Sequence, residues 1–492
     1  MKTRKISFAI MLCIAMLGLG SCSKFLEEDP KHVVNINNYY KTEQDAVSAI
    51  NAIYAYLNSI STGSTAGVYH STLWVTAGLA SDELVNNQLG APQFDQMGTF
   101  TYGPQNAALQ EIWTMHYKTI TLANIAIERI PLISMNTTLR NRLVGEAKFL
   151  RGLMYFNMVR MFGRIPLVLK EEESLRPPVS EVADIYTQIH SDLEGAETDL
   201  PLSYDAKNGR GRATKGAAYA LNAKVYLTEK NWKKAAEKAK VVIDSKQYDL
   251  WENFADAFKL TNRGGKEAVF SVGFGDAGGA IIFWEVGQFL VRLLPTQLSE
   301  EGVVNAQGWQ YPTQQLYDSY DALDYRRAVT FVTSIKKSDG STINIRPYIQ
   351  KYWDRVAEPK GNETSQDFPV IRYSDVLLMY AEAMNEDDHP VEAHEYINKV
   401  RKRARFDGTT YRNTVPDYVN LGKEAFRAAV LKERRLELAV EGHRWFDLVR
   451  TGTLETLVPQ AKPGVVPAAR NYLFPIPQTE RELNSNLPNN GY

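Results

Sequence analysis

Two stretches decide the fold: AAYALNAKVYLTEKNWKKAAEKAKVVID, residues 217–244, and DVLLMYAEAMNEDDHPVEAHEYINKVRKRA, residues 375–404. Laid on one another, they space Ala223, Ala235 and Val242 by twelve and seven, and Ala381, Ala393 and Val400 identically. Small or compact side chains at these positions let two antiparallel helices cross closely. Each stretch therefore reads as a helical hairpin of tetratricopeptide type.

Working outward, helices that begin near Thr42 and Gly145 supply further units, with partner helices near residues 107–130 and 180–198. The first opens on a capping box, Thr42 with Asp45, and carries Val47, Ile50, Tyr54 and Leu57 as its apolar stripe. The second places Leu143, Ala147, Leu150, Met154 and Met158 at helical spacing and stops at Gly163, with Pro166 just beyond. Its Arg151 and Arg160 are expected in structural ion pairs.

Two regions break the helical pattern. Residues 61–106 are rich in Gly, Ser, Thr and Asn and lack sustained periodicity, which predicts a long irregular excursion. Residues 266–350 hold Gly-rich loops and β-favouring snatches, AVFSVGF (268–274) and AVTFVTSI (328–335), which predict short strands among long loops. The expectation is a mostly α protein of four helical hairpins with one irregular, loop-rich face. It forms a single domain over 22–492: a tether at 22–40, an N-terminal helical part at 41–265, the irregular segment at 266–350 and a C-terminal helical part at 351–492.

The N-terminus predicts an exported protein. Lys2, Arg4 and Lys5 precede an apolar run from Ile6 to Leu19, too short for a stable membrane span, and Leu19-Gly20-Ser21-Cys22 is a lipoprotein cleavage pattern. Residues 1–21 are thus expected to be a signal peptide and Cys22 the site of lipid attachment. The leader holds three of the 56 basic and none of the 57 acidic side chains, so the mature chain carries a net charge of −4 and offers no argument for nucleic acid. Cys13 and Cys22 are the two cysteines; with one discarded and one acylated, cysteine nucleophiles and Cys-ligated metals are excluded.

The chain has no phosphate-binding loop, GxSxG elbow, dinucleotide fingerprint or HExxH motif. Asp82, Glu83, Asp318, Asp321 and Asp324 occupy helix-start or loop contexts and are read as solvated caps rather than a glycosidase pair. His389 and His394 flank a hairpin turn and are not read as metal ligands. The crowded segment KERRLELAVEGHRWFDLVR, residues 432–450, is read as a structural charge network: Arg434 with Glu437 and His443 with Asp447 are one-turn neighbours, and Leu436, Leu438, Val440, Trp445 and Phe446 point into a core. No catalytic group, metal or cofactor is assigned.

Five segments resemble those of the SusD/RagB family of nutrient-binding outer-membrane lipoproteins. They are GEAKFLRGLMYFNMVRMFGRIPLV (145–168), GRATKGAAYALNAKVYL (211–227), FPVIRYSDVLLMYAEAMNE (368–386), ERRLELAVEGHRWFDLVRTG (433–452) and YLFPIPQTERELNSNLPNNGY (472–492). With the lipid leader and first helix, the likeness covers almost the whole chain. The resemblance implies a SusD-like fold, anchorage on the outer leaflet of the outer membrane, and a partner: a TonB-dependent, SusC-like β-barrel transporter that the protein caps as a lid. It further implies capture of oligosaccharides, or of peptides in the RagB branch. Glu27, Glu28 and Asp29 are similar to the family's surface-export signal.

A protein that holds glycans without cleaving them needs exposed aromatic planes and a few hydrogen-bonding groups. Trp74 in the first irregular region, and Trp284 and Trp309 in the second, are the candidate platform; the remaining tryptophans, Trp113, Trp232, Trp251, Trp353 and Trp445, sit in or beside helical patterns and are read as packed. Tyr311, Asp82, Asn86, Asn87, Arg292 and Gln310 are candidates to orient hydroxyls. Each stacked sugar contributes on the order of 1 kcal/mol, so weak, releasable binding is expected. The alternatives are a peptide cargo and a scaffold that binds proteins on its helical repeats.

Overall fold

The computed structural model describes residues 39–58, 67–171, 174–205, 209–275, 287–361 and 365–492. The expected signal peptide, Cys22, nearly all of the tether and Trp284 lie outside them.

Helices dominate the described residues. The first, α1 (Glu43–Asn58), opens as its sequence predicts: Asp45 donates its backbone N–H to Thr42 Oγ1 at 3.2 Å, and the Thr42 N–H donates to Asp45 Oδ2 at 2.8 Å. Next come α2 (Thr72–Leu79) and α3 (Pro92–Thr99), both inside the region expected to be irregular. The sequence misleads there because all eight residues of α2 are buried. A helix covered on every side has no polar face and so no period of 3.6.

The scaffold is built from α4 (Ala107–Arg129), α5 (Thr137–Phe162), α6 (Val182–Asp199), α7 (Lys215–Thr228), α8 (Trp232–Asp244), α12 (Tyr373–Glu386) and α13 (Pro390–Ala404). Each packs on the next, and α8 packs directly on α12 although the irregular segment intervenes in sequence. The two deciding stretches are the pairs α7–α8 and α12–α13. Ala223, Ala235, Val242, Ala381, Ala393 and Val400 are all buried. Close approach recurs between α5 and α6, where a Cβ on Gly145 would come within 2.9 Å of the Asp199 side chain.

Short elements complete the fold: α9 (Phe289–Leu293), α10 (Gln314–Asp318), α11 (Tyr325–Thr330), α14 (Lys423–Glu437), α15 (Arg444–Thr451), α16 (Leu454–Ala461) and α17 (Gln478–Leu483). Among the described residues, six strands form three antiparallel pairs. β1 (Leu84–Asn86) pairs with β3 (Gln310–Pro312), β2 (Ala268–Val272) with β6 (Phe368–Arg372), and β4 (Phe331–Lys336) with β5 (Thr342–Ile349). The largest apolar cluster draws on buried residues from Ala46 to Leu487, while a second, smaller one lies under the irregular face around Leu290, Leu294, Leu298, Ile335 and Trp353.

The 432–450 segment is a charge network, but apart from the one-turn pair Asp447–Arg450 its partners are more distant in sequence, and neither expected pair forms. Glu437 takes Arg372 at 3.0 Å and Arg326 at 3.1 Å and also pairs with Arg403; Glu441 takes Arg372 and Lys351. Arg434 joins Asp375 and Asp447 rather than Glu437, and Asp447 pairs with Arg434 and Arg450 rather than with His443. On α5, Arg151 forms its ion pair, doubly bonded to Asp192 at 2.8 and 2.6 Å. Arg160 does not: it lies between the rings of Phe156 and Phe446, 3.7 and 3.9 Å from their centroids, and donates to Asn157 Oδ1.

Candidate functional site

The irregular face is organised by the β1–β3 ladder. Val85 lies opposite Tyr311 and Asn86 opposite Gln310, and beyond the ladder the Asn87 N–H donates to the Trp309 carbonyl at 2.7 Å. Two regions more than 200 residues apart thus present Asn87, Trp309 and Tyr311 along one edge.

Trp309 is half-buried and keeps part of its indole at the surface. Its inner side meets Arg292, whose guanidinium carbon is 5.0 Å from the Trp309 centroid and 5.5 Å from that of Phe94. Arg292 sits on α9 and is fixed by Gln88 Oε1 at 3.2 Å and Ser71 Oγ at 3.4 Å. Tyr311, also half-buried, meets Tyr348 edge-on at 6.1 Å and carries Arg346 over its ring at 4.6 Å. Both aromatic planes are therefore buttressed rather than free to rotate, which lowers the entropy lost on stacking a ligand.

The amides differ in availability. Asn86 accepts from Gln310 Nε2 at 3.1 Å and donates to Asp95 Oδ1 at 2.7 Å, so most of its capacity is spent internally. Asn87 is exposed and makes one long contact, 3.4 Å to the Gly308 carbonyl. Asn87 is the amide free to meet a ligand. Gln310 is fully buried and supports the ladder.

Two expectations are overturned. Trp74 is no platform residue: it belongs to α2, is 1% exposed, stacks on Phe289 at 5.3 Å and donates its indole N–H to the His70 carbonyl. Phe289 continues that stack onto Tyr352 at 4.0 Å, so Trp74 is one member of a core aromatic column. Asp82 is neither a solvated cap nor a ligand group. It is buried and held by Arg444 at 2.8 and 2.9 Å and by Arg435 at 3.0 Å. Burial would raise its carboxyl, but these two guanidiniums outweigh that and hold it below its ordinary value. Its neighbour Glu83 is likewise buried and is pushed up to about 7 by desolvation and by Asp82.

Trp309, Tyr311, Asn86 and Arg292 lie together, with Arg292 behind the Trp309 ring. Arg346, Tyr348 and Gln88 were missed. Arg346 is exposed on β5, in an alternation of exposed and half-buried residues that only the structure reveals. Among the described residues, no three His, Cys, Asp or Glu side chains are grouped to hold a metal ion, and no helix is long and apolar enough to cross a membrane.

The fold defines a class. One family model, described as the SusD family, matches residues 305–492, and another, described as starch-binding associating with outer membrane, matches residues 24–227. The chain is 32% identical to SusD-like protein P2 of Formosa agariphila over the full length of both. It belongs to the SusD/RagB family. A solved laminarin-binding SusD-like protein is similar at 26% identity, with a TM-score of 0.77 over 92% of this chain and 100% of that one. A SusD superfamily protein from Parabacteroides distasonis, 24% identical, shares the fold at a TM-score of 0.78 over 91% of this chain and 99% of its own.

Proposed function

We propose that this protein captures glycans on the Trp309–Tyr311 surface and delivers them to an outer-membrane importer. The observation that carries the reading is the pair of buttressed, half-exposed aromatic planes on β3 and its approach, with the exposed Asn87 amide beside them. A sugar stacks its C–H face on such a plane and gives its hydroxyls to the amide. The laminarin-binding relative supports a carbohydrate cargo. The platform is narrower than three tryptophans, since Trp74 is in the core; Trp284, outside the described residues, remains proposed as a ligand-binding residue.

The rest of the reading follows from the family. Lipidation at Cys22 anchors the chain to the cell-surface leaflet of the outer membrane, and a SusC-like TonB-dependent barrel is the partner over which it closes. The protein acts by binding and not by catalysis.

Affinity electrophoresis and calorimetry against a glycan panel test the proposal. The wild type is retained by at least one polysaccharide, and the Trp309→Ala, Tyr311→Ala double variant is not, while its melting temperature is unchanged. Unaltered retention by the double variant would remove this surface from the mechanism. Saturation by a peptide pool with no glycan bound would replace the cargo.

A further inference from the structure

The aromatic surface carries two guanidinium groups that form no ion pair with a described carboxylate. Arg292 is 8% exposed, and no described carboxylate lies within ion-pair distance of it; Glu111, bound to Thr72 Oγ1 at 2.8 Å, acts on it only from farther away. Its Nε is buried without a hydrogen-bond partner, as are the side-chain nitrogens of neighbouring Gln288 and His70. His70 brings no compensating charge, because burial, and then Arg292 itself, push its pKa down to about 4. At the rim, Arg346 is exposed, stacks on Tyr311 and makes no ion pair with a described carboxylate. Asp95, an exposed acid beside the ladder, accepts a hydrogen bond from Asn86.

Several buried arginines of this chain are closely paired, although Lys462 is buried against the Leu79 carbonyl without an ion pair to a described carboxylate. Arg326, Arg372 and Arg434 each hold two or more carboxylates. Leaving a buried cation uncompensated is costly, so Arg292 requires an explanation, and Arg346 places a second, solvated cation on the same candidate binding surface.

We propose that the cargo of this surface is an anionic glycan, one bearing uronate carboxylates or sulfate esters. Its sugar rings stack on Trp309 and Tyr311, the acidic substituent is taken by Arg346, and Arg292 adds positive potential from behind Trp309. A planar guanidinium fork matches the oxygens of a carboxylate or sulfate, whereas neutral hydroxyls leave both charges unanswered. The inference rests on the glycan reading above and narrows it to a chemical class.

Matched polysaccharide pairs test it with the purified full chain: polygalacturonate against its methyl ester, and a sulfated galactan against its desulfated form. The expected result is about tenfold tighter retention of one acidic member than of its neutralised partner, equivalent to one charge-assisted contact. The preference shrinks as sodium chloride approaches about 0.5 M. Which pair shows it distinguishes uronate from sulfate. Arg346→Ala, at an exposed position, lowers affinity for the acidic member about fivefold more than for its neutral partner. Equal or tighter retention of the neutral members, or of laminarin, overturns the anionic cargo while leaving glycan capture standing. An acidic preference that is undiminished in Arg346→Ala overturns the role of Arg346. Failure to retain any glycan overturns the underlying reading as well.

Discussion

Arg444 grips Asp82 with two hydrogen bonds of 2.8 and 2.9 Å, joining residues 362 positions apart. The bond fixes the chain just before β1, the strand that carries Asn86 and lines up with Trp309. Asp82→Asn would keep the shape but leave Arg444 and Arg435 buried beside a neutral amide. Removing one partner of a buried pair costs about 3–5 kcal/mol. Urea unfolding should show that loss; a change below about 1 kcal/mol would mean that water compensates the arginines.

Trp74 and Trp309 should respond oppositely to truncation. Trp74→Ala opens a hole in the column it shares with Phe289 and Tyr352 and should cost about 3–5 kcal/mol of stability. Trp309→Ala removes a half-exposed ring and should alter stability much less, while weakening glycan binding by about 1 kcal/mol per lost stack. Thermal melts and calorimetry on the two variants separate core from surface.

Arg326 is fully buried among Asp324, Glu433 and Glu437, with separations of 2.8, 2.6 and 3.1 Å. Arg326→Met fills similar space without the charge. It should destabilise by about 3–5 kcal/mol, because three carboxylates lose a common partner. Combining it with Glu433→Gln should recover part of the loss, a coupling that a double-mutant cycle measures.

Three buried histidines should make acid weaken the fold, beginning near neutrality. Burial holds His70 and His116 down at about 4 and His443 at about 3, so each is neutral in the folded chain while the unfolded chain takes up protons below about 6.5. The unfolded state binds more protons at these sites in that window, and their contribution to stability falls as pH drops from about 6.5 towards 4. Glu83, raised to about 7, works the other way: the folded state holds its proton between about 4.5 and 7, which favours folding as pH drops through that range. Glu146 and Asp192, also raised by burial, act in the same sense as Glu83, so the histidine contribution is isolated by replacing one histidine. His116→Gln should flatten the pH dependence of the urea midpoint, and an unchanged slope would show that His116 is not buried neutral.

The helical pairs were legible because their signal is local. Alanines at the α7–α8 and α12–α13 crossings repeat with fixed spacing, and the Thr42–Asp45 box sits within a single turn. Trp74 was misplaced for the complementary reason. Its helix is apolar all round, so its residues carry no periodic contrast and resemble a loop to any reading of pattern. Trp309, Tyr311 and Arg292 were found as residue types suited to a ligand, but their roles were not: that Arg292 stands behind the ring rather than beside the ligand depends on the packing of α9. Arg346 was invisible because nothing in TINIRPYI sets that arginine apart from an ordinary exposed strand residue.

By itself, then, the amino-acid sequence determined the long scaffold helices and their hairpin pairs, but not the buried α2 or the short α3, because apolar spacing and capping act over a few residues. Only the tertiary structure decided which charges meet and which tryptophan sees water. Coulombic partners and solvent exposure are set by chain segments hundreds of residues away, as in the grip of Arg444 on Asp82, and no spacing rule reaches that far.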